Sequence, residues 1–261
     1  MNSRFAVWMD GQGLQDIDPA VLVLDVTESA PETDLRTAAP AAGAGMRVAA
    51  LRRMSLTVTV TFLLRERSPV RRAAVMEKIA AWASGKCLTV SYRPEQQLRC
   101  RCTALPAAGS ALKWHAALTV AFTAFACPFW EARQASAAWI TPAAAEGAAV
   151  LMPAGCAPAC AEVLVINQSG QTVNNLRLDC GDTFFAFTGL GLADGERLLV
   201  THDDLGRLQL TVLGETSRSV MARRAARSHD ELIALPRCAN RVAVTADAPV
   251  TAKFTARGRF L

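Results

Sequence analysis

Three short runs hold the residue types from which enzyme sites are built. Gly189-Leu190-Gly191 with Gly195 loosely resembles a dinucleotide loop, but a bound phosphate needs a helix N-terminus there, and an Asp194-Gly195 turn and another strand follow instead. His202-Asp203-Asp204 offers a base beside carboxylates. It falls where a two-strand turn belongs, and turn aspartates serve to bond their own backbone. Ser228-His229-Asp230-Glu231 contains the members of a hydrolytic triad, yet neighbours in sequence cannot converge as a triad must. Its Ser-x-x-Glu spacing fits a capping box before a short turn ending at Pro236. The chain has no G-x-S-x-G elbow, P-loop or H-E-x-x-H run. With three histidines and one tyrosine, the expectation is a protein that is not an enzyme, with no catalytic, cofactor-binding or metal-ligating residues and no cofactor.

The eight cysteines, at 87, 100, 102, 127, 156, 160, 180 and 238, lack the paired two-residue spacing of a zinc ribbon. They read as small buried hydrophobes, with a Cys156/Cys160 bridge formed after release from the cell as the other reading.

Charged residues make up 20% and hydrophobic ones 51% of 261 residues, which excludes a disordered chain. The net charge of +5 is too small and too dispersed for a duplex-binding stripe, so no sequence-specific nucleic acid is expected. Met1 to Gly11 has no signal-peptide core. The most apolar stretch, Ala135 to Ile166, is broken by Pro142, Glu146, Pro153 and Pro158, so no membrane insertion is expected.

Strands must position whatever this chain presents. Phe5–Trp8 and Val21–Val26 open the pattern, and 27–45 follows without period, rich in Ala, Pro, Gly, Thr and Glu. That is long for a connector and reads as an extended arm or loop. From Met54 to Leu64, apolar Met54, Leu56, Val58, Val60, Phe62 and Leu64 alternate with Ser55, Thr57, Thr59 and Thr61, the signature of a half-buried strand. Ser68-Pro69 is an N-cap with proline at the first helical position, Val75, Ile79 and Trp82 share one face, and Gly85 marks the stop. The spacing predicts a helix over 69–84, with Arg71, Arg72 and Lys78 on its solvated or contact face. Strands are expected at Cys87–Tyr92, Leu98–Ala104 and Trp114–Thr123.

Beyond a boundary between Glu131 and Thr141, short strands separated by turns run from Val163 to Ala256 and read as a β-sandwich. The fold class is mainly β with one clear helix: residues 1–132 form a β-sandwich-plus-helix domain and 133–261 a second β-sandwich. The last strand, about 250–261, is a candidate to return to the first domain.

The order of several patterns resembles the distal tail proteins of long non-contractile-tailed phages. They are Arg52-Arg53-Met-Ser-Leu-Thr-Val-Thr-Val through Trp82, Ser91-Tyr92-Arg93-Pro94, Phe125-Ala-Cys127-Pro128-Phe129-Trp130-Glu131, Leu192-Ala-Asp-Gly195-Glu196, Asp204-Leu-Gly206, Asp230-Glu231-Leu232 and Phe254–Leu261. The family's Gly-Asn near the end of the sandwich is reduced to Asn240 in Arg237-Cys238-Ala239-Asn240. The resemblance implies a belt domain closing a ring of six and a galectin-like C-terminal sandwich. It implies location at the virion tail tip, after assembly in the host cytoplasm. The implied partners are further copies of the chain, the tail tube protein, the tail-tip hub protein and the tape measure protein. Met54, Thr57, Thr59, Thr61, Arg71, Arg72 and Lys78 are the candidate inter-subunit residues. The alternative is a carbohydrate-binding module for host-surface adhesion, against which stands a C-terminal half read as having no Trp or Tyr.

Overall fold

The computed structural model describes residues 5–30, 32–38, 47–106, 117–141, 146–203, 207–225, 228, 234–235 and 238–261. The chain divides into two compact units, 1–130 and 131–261.

In the first unit, β1 (Val7–Met9), β2 (Gln12–Gly13), β3 (Val21–Glu28), β4 (Glu32–Ala38), β5 (Arg47–Leu64), α1 (Pro69–Ala83), β6 (Cys87–Val90), β7 (Gln96–Arg99), β8 (Arg101–Ala104) and β9 (Ala117–Ala124) follow in order. One sheet runs β3-β5-β9-β8, with β4 paired to the outer half of β5, and a second contains β2-β1-β6-β7. The period of two in β5 places Leu56, Val58, Val60, Phe62 and Leu64 in the core. Leu118, Val120 and Phe122 of β9 share that face. Helix α1 covers them with Val75, Ile79 and Trp82. Trp82 meets Phe122 edge-on at 5.7 Å, and its indole N–H donates to Gln12 O at 2.8 Å, tying the helix to both sheets. Ser68 caps the helix by accepting from Arg71 N.

The structure departs from the sequence pattern in several places. The expected strand 98–104 is two strands: β7 belongs to one sheet and β8 to the other, and the chain changes sheets at buried Cys100. Part of the 27–45 arm is regular. Thr27 and Glu28 extend β3, and β4 forms an antiparallel ribbon with β5, while the segment 39–46 lies outside the described residues. Met54 leaves the buried row. Consecutive residues Glu32 and Thr33 oppose Ser55 and Arg53, so Met54 is the extra residue of a bulge and is 43% exposed.

In the second unit, β10 (Trp130–Ala132) begins on the last residue of the first. β11 (Ser136–Ile140), β12 (Glu146–Leu151), β13 (Ala159–Asn167), β14 (Val173–Cys180), β15 (Thr183–Leu192), β16 (Arg197–His202), β17 (Leu208–Leu213), β18 (Arg218–Ser219), β19 (Ala234–Leu235), β20 (Asn240–Ala246), β21 (Val250–Ala256) and β22 (Arg259–Phe260) follow. One sheet runs β11-β21-β13-β16-β17-β18, with β19 on β13. The other runs β12-β20-β14-β15. Val163, Val165, Leu198, Val200 and Phe254 from the first sheet share a core with Leu176, Leu178, Phe185, Phe187 and Val244 from the second. This is the β-sandwich the alternation predicts.

Candidate functional site

The described parts of the motifs with catalytic residue types have structural tasks, while Asp204 lies outside the described residues. Gly189 and Gly191 have φ of +62° and +63°. They sit where the β14–β15 register jumps between the Val173–Leu192 and Asn175–Thr188 pairs, so the glycines serve a bulge. Asp203 Oδ1 accepts from Arg207 N at 2.8 Å, closing the β16–β17 turn. Ser228 Oγ is bonded to both Ala186 N (2.9 Å) and Ala186 O (3.1 Å). It therefore ties down β15, and the partner half of the expected capping box falls outside the described residues. His229 to Glu231 lie outside the described residues. Among the described residues no group of three or more His, Cys, Asp or Glu could hold a metal ion, and no helix is long and apolar enough to cross a membrane. Cys100, Cys127 and Cys180 are buried, whereas Cys156 and Cys238 are exposed. Burial pushes the Cys100 thiol up to about 12, which keeps it uncharged and poorly nucleophilic.

The candidate surface is the outer face of the β3-β5-β9-β8 sheet. Because side chains alternate, burying Val58 and Val60 turns Thr57, Thr59 and Thr61 outward. Their cross-strand partners are Thr123, Ala121 and Thr119 on β9, and Thr27 and Asp25 on β3 lie opposite Thr59 and Thr61. The hydroxyls of Thr57, Thr123 and Thr103 form a chain with 3.0 Å between successive oxygens. The three β5 threonines are half-buried, and among the described residues charge on this face is confined to Asp25 and Arg101 on the outer strands. A β-branched central strand of this kind, with its charges at the margins, can be covered by another protein with little charge desolvation.

The other named candidates separate. Lys78 is exposed on α1, as is Arg71, whose Nε lies 3.4 Å from Glu66 Oε2. Arg72 is fully buried, a correction to its placement on the solvated face. Its Nη1 donates to Leu64 O at 2.8 Å and Glu66 O at 3.0 Å. Carbonyls at the end of β5 and in the connection that follows need donors, and the first turn of α1 brings this one within reach.

The sequence reading missed Glu28, the last residue of β3. Its carboxylate accepts from Tyr92 Oη at 2.8 Å, Arg93 Nε at 3.0 Å, Arg93 Nη2 at 3.2 Å and Trp130 Nε1 at 2.9 Å. The Arg93 guanidinium also lies over the Trp130 ring, 5.3 Å from its centre. Burial, the largest single influence, opposes ionisation of Glu28. The hydrogen bonds from Arg93, Tyr92 and Trp130 and the charge of Arg93 together outweigh it and hold the carboxyl below its ordinary range. Burial, then the hydrogen bond to Glu28, raises Tyr92. Two segments quoted for the resemblance, 91–94 and 125–131, thus converge on one carboxylate.

The sequence matches no family model and no curated protein. Solved structures do match, over nearly the whole chain. SPP1 Dit (gp 19.1), described as a paradigm of the hub adsorption apparatus in Gram-positive-infecting phages, superposes with a TM-score of 0.65 at 17% identity, covering 98% of this chain and 99% of that one. The chain has the fold of SPP1 Dit. Chains of the phage P2 baseplate in its activated conformation share the Dit fold more distantly. The form with Ca gives a TM-score of 0.55 at 7% identity and the form with Sr 0.56 at 8%, each covering 97% of both chains.

One correction bears on function. The second unit does contain a tryptophan: Trp139, on β11 at the edge of its sheet, is 55% exposed, with Lys253 Nζ 5.0 Å from the ring centre.

Proposed function

We propose that this chain is a structural protein of a phage tail tip, a ring of six at the distal end of the tail that joins the tail tube to the tip hub. The observation that carries the reading is the match to SPP1 Dit across both units rather than one. The hydroxyl face of β5 and the β4–β5 ribbon supply a physical means. A head-to-tail contact makes either filaments or closed rings, and a component ending a tube of fixed symmetry must close. A two-stranded ribbon is marginally stable alone in water and is steadied by packing on another body. In this reading the ribbon lies on a neighbouring copy, and Thr57, Thr59 and Thr61 lie in or beside the contact. The protein has no catalytic task. Light scattering and negative-stain imaging of the purified chain, alone and with tail tube protein, test this. A particle of six copies with a central hole is expected, and a monomer at high concentration under both conditions overturns it.

Trp139 gives the carbohydrate reading one specific support, because pyranose rings stack on exposed aromatic faces. A glycan array probed with the whole chain and with Trp139→Ala decides it. Saturable binding lost in the variant would establish a saccharide site, and the absence of binding leaves the second unit a purely structural domain.

A further inference from the structure

Beside the β4–β5 ribbon, one residue of β3 and one of β5 are held by the same short segment. On one side Glu28, the last residue before the chain turns towards β4, accepts a hydrogen bond from Trp130, 102 residues away in sequence. On the other, Arg53 of β5 stands with its guanidinium 5.0 Å from the centre of the Phe129 ring. Phe129 and Trp130 are the last two residues of the first unit, and Glu131 opens the second. The grip is braced. Arg93 binds Glu28 and overlies Trp130, Gln96 accepts from Arg93 Nη1 at 3.0 Å, and Tyr92 adds its hydroxyl.

We infer that Glu28, Arg53, Phe129 and Trp130 form a latch coupling the position of the ribbon to the peptide that enters the second unit. Arg53, within the ribbon, cannot move away without lifting from Phe129, and Glu28, where the chain leaves β3 for the ribbon, cannot move away without stretching its bond to Trp130. Phe129 and Trp130 are the two residues that lead into Glu131. Donors bound to a carboxylate are among the stronger hydrogen bonds available, and they carry direction as well as energy. The latch is a property of a single chain and does not depend on the tail-tip reading. If that reading holds, the latch is the route by which occupancy of the ribbon by a neighbour is felt in the second unit.

Hydrogen exchange on the full chain tests the coupling. Trp130→Phe keeps a buried aromatic ring but removes the indole N–H together with the five-membered ring that carries it, far in sequence from β4. Amides of β4 are expected to exchange about tenfold faster in this variant, the loss of one charge-assisted hydrogen bond. Glu28→Gln should accelerate β4 and residues 131–132 together, and the double variant should exceed the larger single effect by less than about twofold. Tyr92→Phe removes a hydroxyl from a residue that is 43% exposed, so the fold survives it, and a smaller, roughly threefold acceleration at both places is expected. Exchange in β4 unchanged within about twofold in Trp130→Phe and Tyr92→Phe overturns the latch, as does full additivity of the double variant.

Discussion

Arg72 Nη1 lies 2.8 Å from the carbonyl oxygen of Leu64, so an arginine in the first turn of α1 closes the strand from which the helix departs. Arg71, its neighbour in sequence, is exposed and paired only with Glu66. Arg72→Ala leaves two strand-end carbonyls without this donor and should cost at least about 2 kcal/mol. Arg71→Ala should change stability by less than about 0.5 kcal/mol. Chemical denaturation of both variants checks the contrast.

Thr59 stands mid-strand on the hydroxyl face, half-buried and opposite Ala121. Thr59→Lys should leave the unfolding transition within about 1 kcal/mol of the parent, because the side chain points away from the core. It should abolish the proposed ring by placing a charge in the middle of the threonine face. Thr59→Val preserves shape and should assemble. Mass by light scattering reads both, and assembly of the lysine variant would exclude this face.

The pH dependence of Glu28 has a definite sign. Its folded pKa is held below the ordinary value, so its stabilising contribution is present above the unfolded value of about 4.3 and is lost as pH falls through the folded one. The difference in melting temperature between the parent and Glu28→Gln should therefore be widest at neutral pH and shrink at pH 4 and below. A constant difference across that range would show that the charge does not matter.

Near the C-terminus, Arg259 accepts from Cys156 N at 2.7 Å. A Cβ at Gly258 would stand 2.1 Å from Ala154 O, and one at Gly155, with φ of +110°, 2.2 Å from Arg259 O. Gly258→Ala should destabilise the protein by roughly 1–3 kcal/mol. Gly195→Ala, which meets nothing within 4 Å but has φ of +80°, should cost about 1 kcal/mol. Thermal melts rank the pair.

Several arginines of the basic 52–72 stretch have protein partners: Arg53 on Phe129, Arg71 on Glu66 and Arg72 on backbone carbonyls. Duplex DNA titrated against the purified protein should therefore bind no tighter than the non-specific range of about 10⁻⁴ to 10⁻⁶ M at physiological salt, with no sequence preference. Nanomolar affinity in fluorescence anisotropy would move nucleic-acid recognition to the front.

The elements that proved legible were those whose burial repeats locally. Val58, Val60 and Phe62 announce a strand with one wet face, and Ser68-Pro69 with Val75, Ile79 and Trp82 announces a helix, because one turn or one pleat carries the signal. The sheet change at Cys100 was hidden because both strands keep an alternating pattern through it. The strand at 32–38 was hidden because an edge with a single ladder partner buries too little to impose a period. Arg72 was misplaced because nothing local distinguishes it from Arg71, and what buries it is the end of a strand eight residues earlier. Glu28 was missed because its donors arrive from residues 92, 93 and 130. The available signal was chemical: a buried Trp and a Tyr-Arg pair each need an acceptor, and a glutamate ending a Val/Leu strand is a fitting one.

β5 is a single strand of 18 residues, roughly 60 Å long, yet its two halves obey different rules. From Leu56 to Leu63 its ladder with β9 runs without a break. Between Arg47 and Ser55 its ladder with β4 slips twice, at Met54 and between Val48 and Ala50. A residue gained or lost in the inner half would turn Val58, Val60 and Phe62 to water and the threonines into the core. In the outer half the same change becomes one more bulge. The length of this strand can therefore vary one residue at a time without disturbing the core, provided every insertion or deletion falls before Ser55.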